Sequence, residues 1–187
     1  MADFSFRSFR ILVVDDSSAI RQLIHSTLDI IGVGTVEVAA HGGEAVDILK
    51  KSAKPLADRR YRPGGSSIDF VMTNVDMPTV DGMMLLRWIR RHEESPDRFL
   101  PVIMVSSYAD PAKVREARDA GVTEFVAKPF TIASICSRLI NVIERPRQFV
   151  QTADYFGPDR RRRSMPYDGP DRRVLTEDDP GVEVIHD

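Results

Sequence analysis

Two sets of polar residues stand where chemistry could be done. The first lies where short apolar runs end: residues 68–73 deliver Asn74, residues 10–14 end in Asp15 and Asp16, residues 102–105 end in Ser106 and Ser107, and residues 124–127 end in Lys128 and Pro129. Apolar, β-branched runs of this length make buried strands. An open α/β sheet keeps its ligand outside the carboxyl ends of its strands. Carboxylates, a carboxamide, a hydroxyl and an ammonium are thus expected along one sheet edge.

The second set is a repeat. Tyr155, Phe156, Gly157, Pro158, Asp159, Arg160 and Arg161 return as Tyr167, Asp168, Gly169, Pro170, Asp171, Arg172 and Arg173, with Arg162 and Arg163 between the copies. Six arginines face three aspartates over 155–173, whereas 174–187 holds five acids and neither Lys nor Arg, so the basic character ends with the second copy. Arginine reads planar, bidentate acceptors and stacks on π-faces, which a lysine point charge does not. The repeat calls for a flat, anionic ligand of two-fold character, with Tyr155, Phe156 and Tyr167 as stacking faces.

The elements that must position these residues alternate along the chain. After the first strand, Ile20, Leu23, Ile24, Leu28 and Ile31 recur at helical spacing, and Gly32 and Gly34 supply the stop. A strand over 35–40 and a helix over 43–51 follow. Residues 52–67, with Arg59, Arg60, Tyr61 and Arg62 among prolines and glycines, read as an exposed basic loop. The turn residues from Pro78 to Gly82 lead into a third helix over 82–92. A fourth runs from its cap Asp110 to about Ala120, ended by Gly121, and a fifth spans 131–144. Five strands alternating with five helices predict an α/β, doubly wound, five-stranded parallel sheet.

Length and composition bound the rest. The 187 residues accommodate one domain, at 8–145, and an arginine-rich tail, at 146–187. The tail has too few large apolar residues to offset its ordering entropy and is expected to be mostly disordered. A net charge of −2 carries no global nucleic-acid or membrane signal. No stretch approaches the roughly 18 apolar residues of a membrane span, and a cytoplasmic location is expected. The single cysteine, Cys136, lies in a helical pattern and reads as a small buried hydrophobe. No catalytic constellation points to an enzyme.

In order, spacing and strand position, residues 8–145 resemble the CheY-like receiver domains of response regulators. The resemblance implies that Asp15 and Asp16, with Asp76, contribute to a Mg²⁺ site, that Ser106 is the switch hydroxyl and Phe125 the switch aromatic, and that Lys128 pairs with a phosphoryl group. It also implies a protein partner on the fourth helix, fifth strand and fifth helix, where Arg115, Glu116, Asp119, Phe125 and Arg138 are the candidate participants. The phosphoacceptor position, four residues before Pro78, holds Asn74 where the family carries aspartate. A neutral carboxamide is neither a nucleophile toward phosphorus nor a good metal ligand. The receiver is therefore expected to be non-phosphorylatable, with Mg²⁺ weakly held or absent.

The tail resembles that of the Cle-type effectors, CheY-like proteins whose arginine-rich stretch binds cyclic di-GMP and which act at the flagellar motor. The resemblance implies cyclic di-GMP as ligand and the motor switch as candidate partner. Arginine bidentate to guanine O6 and N7 is the commonest specific base contact. Asp159 and Asp171 fit as orienters of the guanidinium groups or acceptors from guanine. The alternatives are a phosphorelay adaptor, disfavoured by Asn74, and a pseudo-receiver that only docks proteins or nucleic acid, with the basic tail as a nonspecific phosphate contact.

Overall fold

A computed structural model describes residues 5–52, 67–107, 110–160 and 183–185. Ten elements alternate: β1 (Arg10–Val14), α1 (Ser18–Ile30), β2 (Thr35–Ala39), α2 (Gly42–Lys51), β3 (Phe70–Asn74), α3 (Gly82–Arg91), β4 (Val102–Ser106), α4 (Pro111–Asp119), β5 (Glu124–Ala127) and α5 (Ile132–Glu144). The strands pair in parallel in the order β2-β1-β3-β4-β5. The third strand starts later than expected and takes in Asn74 as its last residue. The basic loop expected at 52–67 lies almost wholly outside the described residues.

The near-continuous apolar strands follow from burial on both faces of the sheet. Successive residues go to opposite sides. Leu12, Val14, Val71, Val102 and Met104 pack with Leu49, Leu86 and Ile89 of α2 and α3. Ile11, Val13, Phe70, Met72, Ile103 and Val105 pack with Ile24 and Leu28 of α1 and with Ile135 and Leu139 of α5. Cys136 is partly buried beside that second cluster rather than enclosed in it. Side-chain caps fix the helix starts: Ser17 accepts from Ile20 N, Asp81 from Met84 N and Asp110 from Ala112 N, while Thr131 and Ser134 form a capping box. No helix among the described residues is long and apolar enough to cross a membrane.

Within the tail expected to be mostly disordered from residue 146, residues 149–160 are ordered. Here β6 (Phe149–Gln151) pairs antiparallel with β7 (Phe156–Pro158) and with β8 (Glu183–Ile185). The apolar residues too few to make a core of their own share one with the domain. Phe149 and Phe156 pack edge-on against Phe99, with ring centroids 4.9 and 5.4 Å away. The Arg98 guanidinium covers the Phe156 ring at 3.9 Å. Arg91 Nη2 donates to Asp154 O at 2.6 Å.

Beneath this segment Arg90 is fully buried. Its Nε donates to Gly121 O at 3.0 Å, and its Nη1 to Arg98 O at 2.8 Å and Leu100 O at 2.7 Å. The Phe149 ring lies 5.3 Å from its Cζ. Gly121, at φ +92°, sits where a Cβ would meet Phe156 O at 2.8 Å.

Gly121→Ala therefore imposes both a left-handed backbone on a side chain and a clash with the C-terminal segment. The expected cost is about 1–3 kcal/mol, read by denaturant unfolding. Faster amide exchange over 149–158 than in the native chain should accompany it.

Candidate functional site

The parallel register brings the strand ends together at one edge. Asn74 pairs with Val105 and Ser106 with Ala127, so Asn74 stands between the β1 end, carrying Asp15 and Asp16, and the β4 end, carrying Ser106. Gly82 permits this packing, because a Cβ there would come within 2.1 Å of Asn74 O. The chain turns over the site through Thr79, at φ 70°, and Gly82 N donates to Val75 O at 2.9 Å.

Asp15 is buried, and its two carboxylate oxygens are engaged. Oδ1 accepts from Ser17 N at 2.9 Å and Oδ2 from Lys128 Nζ at 2.8 Å. Lys128 Nζ also donates to Asn74 Oδ1 at 3.3 Å, and the Lys128–Pro129 bond is cis. Ser106 is buried, and Lys128 N donates to its carbonyl at 2.7 Å. Phe125 is half-buried against the cluster on the α2 and α3 side. The expected set of Asp15, Asp16, Asn74, Ser106 and Lys128 is thus assembled at one sheet edge.

The Asn74 carboxamide is the hub of that set. Its Oδ1 accepts from Lys128 Nζ and from Val75 N, at 3.1 Å for the latter, which fixes the other end of the amide as the donor. That end, Nδ2, donates to Asp16 Oδ1 at 3.2 Å and to Asp76 O at 2.8 Å. Donor hydrogens therefore face the oxygens that a cation would need. Of Asp76, expected as a weak Mg²⁺ contact, the carboxylate is held by Lys113 Nζ at 2.8 and 2.9 Å, and the carbonyl turns to Asn74. With Asp15 tied to Lys128 as well, this donor set does not fit a tightly held Mg²⁺. Among the described residues no group of three or more His, Cys, Asp or Glu is placed to hold a metal.

Two residues that sequence reasoning missed border the site. Lys113 of α4 clamps Asp76, and Arg21 of α1 donates from Nη1 to Asp15 O at 2.6 Å. Each is one basic residue on an amphipathic helix. Nothing in its spacing separates it from a solvated lysine or arginine.

The tail residues divide differently. Tyr155 is buried, its hydroxyl donates to Pro158 O at 2.7 Å, and the Arg160 guanidinium lies 4.1 Å from its ring centroid. The face expected to stack on a ligand is covered by Arg160. Burial raises the Tyr155 hydroxyl above its ordinary pKa of 10.0, against the opposing pull of Arg160. Phe156 is buried in the aromatic cluster, and Asp159 is half-buried, its N donating to Gln148 O at 2.7 Å. Arg160 is exposed and donates from Nη1 to Asp119 Oδ1 at 3.1 Å. Arg161, Arg162, Arg163, Tyr167, Asp171, Arg172 and Arg173 lie outside the described residues.

Comparison with known proteins agrees with this geometry. The family model described as the response regulator receiver domain matches residues 11–140. Chemotaxis protein CheY-3 of Vibrio cholerae is 33% identical over 139 residues, covering 74% of this chain and 95% of the relative. Among solved structures, a CheX-CheY-BeF3-Mg²⁺ complex from Borrelia burgdorferi superposes with a TM-score of 0.59 at 27% identity, over 72% of this chain and 89% of the other. The receiver domain of the Pseudomonas aeruginosa histidine kinase PA1611, with magnesium coordinated in its cleft, does so with a TM-score of 0.57 at 26% identity, over 73% and 98%.

The amide hub predicts how the site responds to charge. Asn74→Asp sets a third carboxylate beside Asp15 and Asp16, and an unfolding cost of about 1–3 kcal/mol is expected in chelator. Mg²⁺ should restore stability to that variant and leave the native melting temperature unmoved. Melts with and without Mg²⁺ check this, and equal stabilisation of both chains would contradict it. Lys128→Met strands the buried Asp15 carboxylate and is expected to cost about 3 kcal/mol, read by urea unfolding.

Proposed function

The chain belongs to the response regulator receiver family, and from that premise we propose that it is a receiver which signals without taking a phosphoryl group, its input being cyclic di-GMP bound by the arginine-rich tail. The family is one of non-enzymatic signalling domains related to chemotaxis CheY. What sets this member apart is the residue at the hub. Phosphoryl transfer needs an anionic nucleophile and a cation to neutralise developing charge. Asn74 offers a neutral amide, and its Nδ2 hydrogens satisfy Asp16 and the Asp76 carbonyl in the cation's stead.

The input must then come from elsewhere, and the repeat supplies the chemistry. Two copies of a Tyr-x-Gly-Pro-Asp-Arg-Arg sequence suit a ligand with two guanine edges and two phosphates, or a stacked pair of such ligands. Arg160 displays the required habit within the chain, lying on an aromatic ring while reaching a carboxylate. That double contact is the observation that carries the ligand reading.

The output is a protein contact on α4, β5 and α5, with Arg115, Glu116, Asp119, Phe125 and Arg138 as the residues to probe. The similarity to chemotaxis proteins makes the flagellar motor switch the first partner to try. The protein is expected in the cytoplasm, and nucleic acid is not its expected partner.

Calorimetric titration of the full chain with cyclic di-GMP should give micromolar binding. Replacing Arg160, Arg161, Arg172 and Arg173 by alanine removes contacts of about 1–3 kcal/mol each and should abolish it. Acetyl phosphate should leave the native chain unlabelled. Labelling at the site, or binding no better than to an unrelated dinucleotide, would favour a phosphorelay adaptor or a partner-docking pseudo-receiver respectively.

A further inference from the structure

The first repeat is part clip and part free side chain. Its backbone is pinned: Phe156 is packed against Phe99 under Arg98, and a Cβ on Gly157 would meet Gly121 Cα and the Tyr155 hydroxyl, each at 2.7 Å. Arg160, the last described residue of this copy, reaches outward, and both it and Asp119 remain more than two-fifths exposed at the side chain, 43% and 49%. The guanidinium can therefore swing away without unseating the strand beneath it.

Its resting partners are chemical equivalents of the ligand just proposed. The Asp119 carboxylate at 3.1 Å takes the place of a phosphate or a guanine edge. The plane lying 4.1 Å from the Tyr155 centroid takes the place of a base on that ring. Arg118 Nε shares Asp119 Oδ1 at 3.3 Å, so the carboxylate already serves a second arginine on α4.

Resting on the cyclic di-GMP reading, we propose that Asp119 is a built-in competitor of that ligand: it holds Arg160 in a self-occupied state that cyclic di-GMP must displace. Displacement uncovers the Tyr155 face for stacking and frees Asp119, the last residue of α4, from Arg160, while the backbone contact at Gly121 and Gly157 stays in place. Ligand binding is thereby sensed on the helix that borders the proposed output face. Asp119 acts through Arg160 and is a positioning residue.

The experiment compares cyclic di-GMP affinities of the full-length native chain, Asp119→Asn, the charge-retaining Asp119→Glu and Glu93→Gln, which removes the same charge from an exposed site with no ion pair to Arg160. An exposed ion pair sets the scale at about 2- to 5-fold. Asp119→Asn should bind tighter by that factor, with Asp119→Glu and Glu93→Gln near the native value, and amide resonances of 117–121 should shift when the native chain is saturated. Equal tightening in Asp119→Asn and Glu93→Gln would mean net charge alone and would overturn the inference, as would native affinity in Asp119→Asn or silence at 117–121. Absence of binding by every chain overturns the tail reading itself, and the inference with it.

Discussion

A fully buried guanidinium organises the end of the sheet remote from the site. Moving a charge out of water costs several kcal/mol unless its donors are matched. Arg90 meets that demand with the carbonyls of Arg98, Leu100 and Gly121 and the Thr123 hydroxyl, so the loop entering β4 and the turn entering β5 must both be formed for the helix to keep its last turn buried. Burial pulls its pKa down to about 10, with Asp97 pushing back, and it stays charged at neutral pH. The Phe149 ring closes over it. The first part of the tail is for that reason structurally continuous with the receiver.

Much of the fold was legible because local and tertiary demands agree. Apolar runs of strand length, helical spacing between them, a cap at Asp110 and glycine stops after the first and fourth helices made the element order readable, and the strand ends gave the polar set around Asn74. Arg90 was not legible. Two arginines closing an amphipathic helix satisfy its dipole equally well, and only tertiary packing decides that Arg90 is buried and Arg91 reaches Asp154. The tail misled for a related reason. Counting apolar residues within a segment tests whether it can fold alone, whereas Phe149 and Phe156 use Phe99 of the domain.

At the opposite edge the governing quantity is the sign of the charge at one atom. Replacing a carboxylate oxygen by an NH2 turns an acceptor into a donor. The acidic residues left behind then find their partners within the protein: Asp15 pairs with Lys128 and Asp76 with Lys113, while Asp16 accepts a hydrogen bond from the neutral amide itself. The architecture of a receiver site survives with its valence satisfied internally. Lys113 further ties the loop after β3 to α4, so the helix that meets Arg160 at its far end through Asp119 is anchored near its start by the site.

The contacts inside the first repeat bear on how such a tail arises. Tyr155 bonds to Pro158, Gly157 makes room for its ring, and Arg160 lies on that ring, so the turn is closed by residues the motif itself contains. Attachment to the domain depends on Phe156, the position that the second copy fills with Asp168. Duplicating such a cassette copies its arginine-bearing sequence and leaves the adhesive residue free to drift. A lineage can in this way lengthen an arginine-bearing arm one module at a time without renegotiating the core.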